Sequence, residues 1–208
     1  YENFTPEIPE ISTIGEEDKL EVFKRKMAEI LSGLGFLEVS NYHLTSKSDQ
    51  VEKMNSNSKG NFIEVIGSKT DYSILRENLT HYILKNYSEN VDSEYPQKIF
   101  EIGRVFNLNG DKVNEGESIV IASSPGNFTE IKQTLEYLFR MIDKKITFVE
   151  PKKIPEHFID GRSSEISFNG KNIGFIGEIH PKILKNWKIK MPVALVEINL
   201  DDVLKGLI

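Results

Sequence analysis

The dipeptide Asn109-Gly110, set between two runs rich in apolar residues, constrains the fold of this chain more than any other feature. A tight hairpin loop needs positive φ at its centre, which Asn and Gly tolerate, so the pair predicts an antiparallel hairpin between strands at 98–106 and 118–123. A second such pair, Asn169-Gly170, joins predicted strands at 163–168 and 173–179. Further strands are read at 36–44, 62–66, 146–149 and 193–198. Helical spacing marks three longer segments: Leu20, Phe23, Met27, Ile30, Leu31 and Leu34; then Leu79, Ile83 and Tyr87; then Phe128, Ile131, Leu135, Leu138 and Ile142. Gly33 and Gly35 end the first of these, and short helices fit 181–186 and 201–207. Hairpin-linked strands interrupted by helices predict an α+β fold, an antiparallel β-sheet flanked by helices on one side.

The 208 residues suffice for one large or two small domains. Residues 1–17, with Thr5-Pro6-Glu7-Ile8-Pro9, read as an extended lead-in. The stretch 45–61, rich in Ser, Asn and Lys, reads as a mobile loop. Because the chain starts at Tyr1 rather than a methionine, it is expected to be part of something larger.

A formal net charge of -6 argues against a chain whose whole surface grips nucleic acid and leaves room for a local basic face. Lys182, Lys185, Lys188 and Lys190 cluster around Trp187, either as a solvated face or as an RNA contact, with Lys185 and Lys188 the candidates for the latter. The chain has no cysteine, hence no disulfide framework, thiolate metal site or cysteine nucleophile, which suits a reducing cytoplasm. No apolar run approaches a membrane span.

Classical enzymatic constellations are not apparent. His157 and His180 lack a helical partner or carboxylates at ligand spacing, so both read as structural, and no metal site is predicted. Glu178 stands in an alternating strand without a paired acid or nucleophile. Gly174 and Gly177 fit close strand packing better than a phosphate loop.

Eight short pieces, in order along the chain, point further. They are Tyr1-Glu2-Asn3-Phe4, Gly35-Phe36-Leu37-Glu38-Val39, Leu75-Arg76-Glu77-Asn78-Leu79, Phe100-Glu101-Ile102-Gly103, Phe158-Ile159-Asp160-Gly161-Arg162, Asn169-Gly170-Lys171-Asn172-Ile173-Gly174, Gly177-Glu178-Ile179-His180-Pro181 and Pro192-Val193-Ala194. Together they resemble the synthetase-like module near the C-terminal end of phenylalanyl-tRNA synthetase β subunits of the archaeal and eukaryotic type. The resemblance implies a class II aminoacyl-tRNA synthetase-like core over 1–208. It also implies an α2β2 assembly whose α subunit binds ATP and phenylalanine, with magnesium and ATP handled outside this chain. The module would support assembly with α and binding of tRNA(Phe), in the cytoplasm and without a membrane. A standalone RNA-binding or regulatory paralogue is the alternative.

Three departures from an active class II site coincide. Where motif 1 would place a proline stands Tyr42; where motif 2 would place an arginine and a glutamate stand Asn107 and Asn109; and 192–204, the counterpart of motif 3, contains neither glycine nor arginine. Losing one preorganised donor to a phosphate costs roughly 3–4 kcal/mol of barrier, and asparagine carries no charge with which to replace it. No catalytic residue is therefore assigned. Arg76 and Glu101 join Asn107 and Asn109 as candidates for a degenerate cleft, with Arg76 either facing that cleft or pairing with Glu77 or Glu101. Arg162 either grips a phosphate or an α-subunit carboxylate, or caps a sheet edge. By the family's use of motif 1, Phe23, Met27, Ile30, Phe36 and Tyr42 are subunit-interface candidates, although the Phe23, Met27, Ile30 stripe also fits a core.

Overall fold

Both predicted hairpins form. The first is longer than its apolar runs suggest, pairing strand Gln97–Asn109 with strand Lys112–Ser124 from Asn109↔Lys112 to Gln97↔Ser124, with Gly110 at φ 64° in the turn. The second turns at Asn169 and Gly170, whose φ values of 51° and 78° are the mirror-image turn that these residue types permit. The structure is a computed structural model that describes residues 2–10, 15–56, 62–110 and 112–205.

In chain order the elements are α1 (Lys19–Gly33), β1 (Leu37–Glu38), β2 (Leu44–Thr45), a π-helical turn (Ser48–Glu52), β3 (Ile74–Leu75), α2 (Thr80–Glu89), β4 (Gln97–Asn109) and β5 (Lys112–Ser124). They continue with α3 (Phe128–Met141), β6 (Thr147–Val149), β7 (Phe158–Phe168), β8 (Lys171–Ile179), α4 (Pro181–Asn186), β9 (Ala194–Asn199) and α5 (Asp201–Leu204). Seven strands make one sheet in the order β1-β4-β5-β9-β8-β7-β6, and β2 pairs with β3 separately. Every pairing in the large sheet is antiparallel except β1 with β4, so the sheet is mixed at that edge.

The expectation of helices on one side is corrected by the structure. One face of the sheet packs Phe100, Ile119, Ile121, Ile176 and Val196 against α1 and α3; the other packs Ile99, Val120, Ala122 and Leu195 against α2 and α4. The physical reason lies in β5 and β9, whose central residues are apolar on both faces and would leave one face wet if helices covered only the other. Each fully buried Leu, Ile or Phe contributes about 1.5–3 kcal/mol.

Local signals account for the helix ends. Asp18 caps α1 by accepting from Leu20 N–H at 2.8 Å, and Asn127 caps α3 by accepting from Glu130 N–H at 2.9 Å. The stop of α1 is Gly35, at φ 81°, rather than Gly33, which is still helical; the reversal lets Phe36 N–H reach the Leu31 carbonyl at 3.0 Å.

Two predicted strands are mostly absent. Of 36–44, only β1 and the first residue of β2 are strand, and of 62–66 only Glu64 makes a bridge, to Ile74. The segment read as a mobile loop at 45–61 also differs: residues 57–61 lie outside the described residues, but 45–56 hold the end of β2, the π-helical turn and buried Thr45, Ser46, Asp49, Gln50 and Met54. Its polar residues are used internally, as described below, which a composition-based reading takes for solvent exposure. Residues 2–10 are exposed and carry no helix or strand.

Met27, at 0% exposure between α1 and the sheet, is a core residue of this chain. Met27→Ala is expected to cost about 2–5 kcal/mol, measured by urea denaturation; a change below about 0.5 kcal/mol would place Met27 outside the stabilising core.

Candidate functional site

Arg76 follows β3, and its backbone bridges two elements: its N–H donates to the His43 carbonyl and its carbonyl accepts from Phe106 N–H, both at 2.9 Å. The side chain then runs under β4 and is 1% exposed. Nη1 donates to Glu101 Oε1 at 2.6 Å and to the Asn41 carbonyl at 3.3 Å, while Nε donates to the Arg104 carbonyl at 2.8 Å. Glu101, 2% exposed, also accepts from Asn41 N–H at 3.2 Å and Asn41 Nδ2 at 2.7 Å. Gly103 makes this possible, because a Cβ there would overlap Arg76 Nη2. The same bonds explain why the strand predicted at 36–44 breaks: the Asn41 and Tyr42 carbonyls point to the guanidinium instead of a neighbouring strand.

Of the two roles open to Arg76, the structure realises the ion pair, and with Glu101 rather than Glu77. Glu77 instead donates its N–H to Gln50 Oε1 at 2.9 Å, and burial holds its carboxyl above the usual range. Asn107 and Asn109 lie farther along β4, on the face that carries Glu101, and both are exposed.

Next to this pair is a cleft of about 360 Å³ lined by Lys24, Ser40, Asn41, His43, Arg104 and Glu117. Its cations are all engaged. Lys24 pairs with Glu21 at 2.9 Å and Glu117 at 3.5 Å, and Arg104 with Glu115 at 3.1 Å and Glu117 at 3.4 Å. A triphosphate entering here would meet Glu101 and Glu117 and would have to displace carboxylates from every cation, so the residues present do not fit ATP. Among the described residues no group of three or more His, Cys, Asp or Glu is arranged to hold a metal ion.

A second carboxylate organises the adjoining part of this face. Glu197, on β9, accepts from Leu79 N–H at 2.8 Å, Thr80 N–H at 2.9 Å and Thr80 Oγ1 at 2.5 Å, so it caps α2 from across the sheet. Burial pushes its carboxyl above the usual range, against the opposing pull of those donors. It lines a pocket of about 160 Å³ with Asn78, His157, Phe158 and Phe175. The sequence contains one signal for this residue, a lone acid inside the apolar run 193–198.

Helix α2 is also tied to the supposed loop. His81 Nε2 lies 3.0 Å from Thr45 Oγ1, Tyr82 donates its hydroxyl to the Leu44 carbonyl, and Asp49 binds Lys53 at 2.6 Å and Lys85 at 3.0 Å. Burial opposes ionisation of Asp49, but the two lysines hold its carboxyl below the usual range. His81 is fully buried, and desolvation lowers its pKa to about 3; burial lowers that of His157 to about 4. His180 accepts from Lys182 N–H at 3.1 Å and caps α4. His180 thus serves the start of α4, while His157 lines the pocket beside Glu197.

The interface candidates separate. Phe23, Met27 and Phe36 belong to the chain's own core, which corrects their use as surface contacts; Ile30 is half-buried against that core, and Tyr42 is 79% exposed. The RNA-contact candidates separate too. Arg162 pairs with Glu178 at 2.7 Å, whose other oxygen accepts from Phe128 N–H at 3.2 Å, whereas Lys185 and Lys188 are exposed on and just after α4.

Breaking the buried pair leaves an uncompensated charge. Arg76→Met is expected to cost about 3–5 kcal/mol, and Arg76→Met with Glu101→Leu to recover much of it; equal losses in both variants by denaturation would refute the pairing account. Both histidines, His81 buried and His157 half-buried, are neutral when folded but bind protons when unfolded, below pH about 6.5. Stability is therefore lost as pH falls from there toward the folded values, at about 1.4 kcal/mol per pH unit for each. His81→Gln is expected to flatten this dependence between about pH 6 and pH 5 in denaturant titrations, and an unchanged slope would exclude His81 as a source.

Residues 5–200 match the family described as phenylalanyl tRNA synthetase beta chain CLM domain. Phenylalanine-tRNA ligase beta subunits are similar over nearly the whole chain: that of Thermococcus sibiricus is 35% identical, covering 99% of this chain and 37% of the relative. That of Archaeoglobus fulgidus is 34% identical over 96% of this chain and 36% of the relative, and that of Borreliella burgdorferi strain B31 is 32% identical over 97% and 36%. The chain thus spans little more than a third of the length of these relatives. A pyrrolysyl tRNA synthetase, PylSc of Desulfitobacterium hafniense, shares the fold with TM-score 0.72 at 16% identity, covering 90% of this chain and 66% of that one.

Proposed function

This chain belongs to the phenylalanyl-tRNA synthetase β chain family, and from that premise we propose that residues 1–208 are the noncatalytic, class II synthetase-like part of a phenylalanine-tRNA ligase β subunit. It supports assembly with the α subunit as α2β2 and binding of tRNA(Phe) during ATP-dependent phenylalanylation in the cytoplasm. ATP, magnesium and phenylalanine are held by α.

The observation that carries the noncatalytic reading is the state of the cleft. Arg76, Lys24 and Arg104 are each neutralised by this chain's own carboxylates, and the motif 2 positions at the far end of β4 hold the uncharged Asn107 and Asn109. Adenylate formation needs donors that are free to meet charge developing on phosphate. What the fold retains is the scaffold of such a site, with the Arg76–Glu101 pair in its wall.

The expected outcome is that this chain alone gives no phenylalanine-dependent ATP–pyrophosphate exchange. A tagged copy co-expressed with the α subunit from the same source is expected to co-purify with it in stoichiometric amounts. Exchange by the chain alone would overturn the noncatalytic reading, and failure of two folded chains to associate would overturn its part in assembly.

A further inference from the structure

The cations of this chain are not evenly compensated. Several lysines and arginines sit on carboxylates: Arg25 on Glu17, Lys47 on Glu64, Lys98 on Glu130, Arg162 on Glu178, Lys171 on Asp202. Others, among them Lys26, Lys144, Lys145, Lys152 and Lys153, make no ion pair among the described residues, and α4 with the turn that follows it holds such lysines around one buried tryptophan. Lys185, Lys188 and Lys190 are exposed, and among the described residues none makes an ion pair or side-chain hydrogen bond; Lys182 donates only to the neutral Asn55 Oδ1, at 2.8 Å. In a chain of net charge -6 this gathers four ammonium groups without a carboxylate.

The fold holds them there. Ile183 (1% exposed), Trp187 (2%) and Ile189 (7%) are buried against the sheet, so the alternate positions must face outward. Lys182 and Lys185 are one helical turn apart, with Cβ atoms about 5–6 Å from each other. Lys188, at φ 58°, reverses the chain after Trp187, so that Lys188 and Lys190 flank the buried Ile189. Asn186 Nδ2 donates to the Lys53 carbonyl at 2.9 Å, and Lys53 Nζ lies 4.4 Å from the Trp187 ring centroid, which fixes the ridge to the 45–56 segment. Trp187 is therefore an anchor and offers no exposed ring for stacking a base.

We propose that this ridge, Lys182, Lys185, Lys188 and Lys190, is a docking surface for the phosphate backbone of tRNA. It rests on the reading of the chain as part of a tRNA ligase and deepens it by naming the contact. Point charges on flexible stems, without a planar fork or an exposed aromatic, suit sequence-independent phosphate contact rather than base readout. Arg162, held by Glu178, is not part of it.

The test uses the assembled ligase, full-length β subunit with α, and tRNA(Phe). The variant is Lys185→Gln, Lys188→Asn and Lys190→Gln together, with Asn chosen at 188 because it tolerates positive φ. The expected result is a KM for tRNA raised about tenfold, with kcat and pyrophosphate exchange unchanged. The slope of log affinity against log salt should be shallower by about 1 for each lysine removed. A control, Lys26→Gln, Lys144→Gln and Lys145→Gln, removes exposed or half-exposed charges that also lack an ion pair, outside the ridge, and should leave KM and slope unchanged.

An unaltered KM and salt slope in the ridge variant, with wild-type ligase charging tRNA(Phe), would overturn the proposal while leaving the ligase reading intact. So would an equal effect from the control, or lost association with α without a change in salt slope, which would assign the ridge to a protein contact. If wild-type ligase does not charge tRNA(Phe), the underlying reading fails, and this proposal with it.

Discussion

A sheet that is apolar on both faces has to be covered on both, and in this chain the cover on the second face depends on the buried Arg76–Glu101 pair. The guanidinium gathers three backbone segments, at 41–42, 76 and 104, onto one carboxylate. With those segments fixed, α2 can lie across the sheet, and its unsatisfied N-terminal N–H groups meet Glu197 from β9. Remove the cation and its carboxylate would stand uncompensated in the low-dielectric space between sheet and helix.

This covering explains how one architecture serves two ends. A class II-like sheet can present a cleft to substrates, or it can fill that cleft with its own polar side chains. Here Arg76, Glu101, Glu197, His81 and Asp49 form bonds to one another, to backbone or to Thr45 and lysines, so their charges are committed before any ligand arrives. On the noncatalytic reading proposed above, the want of free ligand-binding donors and the presence of an internally bonded polar layer are two descriptions of the same choice of partners. Among the described residues, the exposed Lys185, Lys188 and Lys190 of α4 and the turn after it stay outside this network and make no ion pair.

Much of the fold was legible in the sequence because its signals are local. The hairpins at Asn109-Gly110 and Asn169-Gly170, the α1 and α3 stripes and the α4 start at His180-Pro181 depend on turn geometry, periodicity and capping within a few residues. Composition misled at 45–56 and at 36–44. In the first, polar residues bury themselves by bonding across to α2; in the second, an extended segment turns its carbonyls to a side chain 34 and 35 residues later. Of the cleft, Arg76 with Glu101 was one of the pairings the sequence allowed, while Asn41, His81 and Glu197 carried no local mark beyond an acid in an apolar strand.

The sequence by itself determined that this is an α+β chain of synthetase type lacking the motif arginine, since that conclusion needs only which residue stands at which place in a strand-and-turn pattern. Tertiary structure alone decided that helices cover both faces, that Met27 and Phe36 turn inward, and that Arg76 chooses Glu101 over Glu77. The physical reason is that burial and pairing are long-range: a charge's partner is set by which segments share a low-dielectric space, and that is known only once the sheet and its two layers have closed.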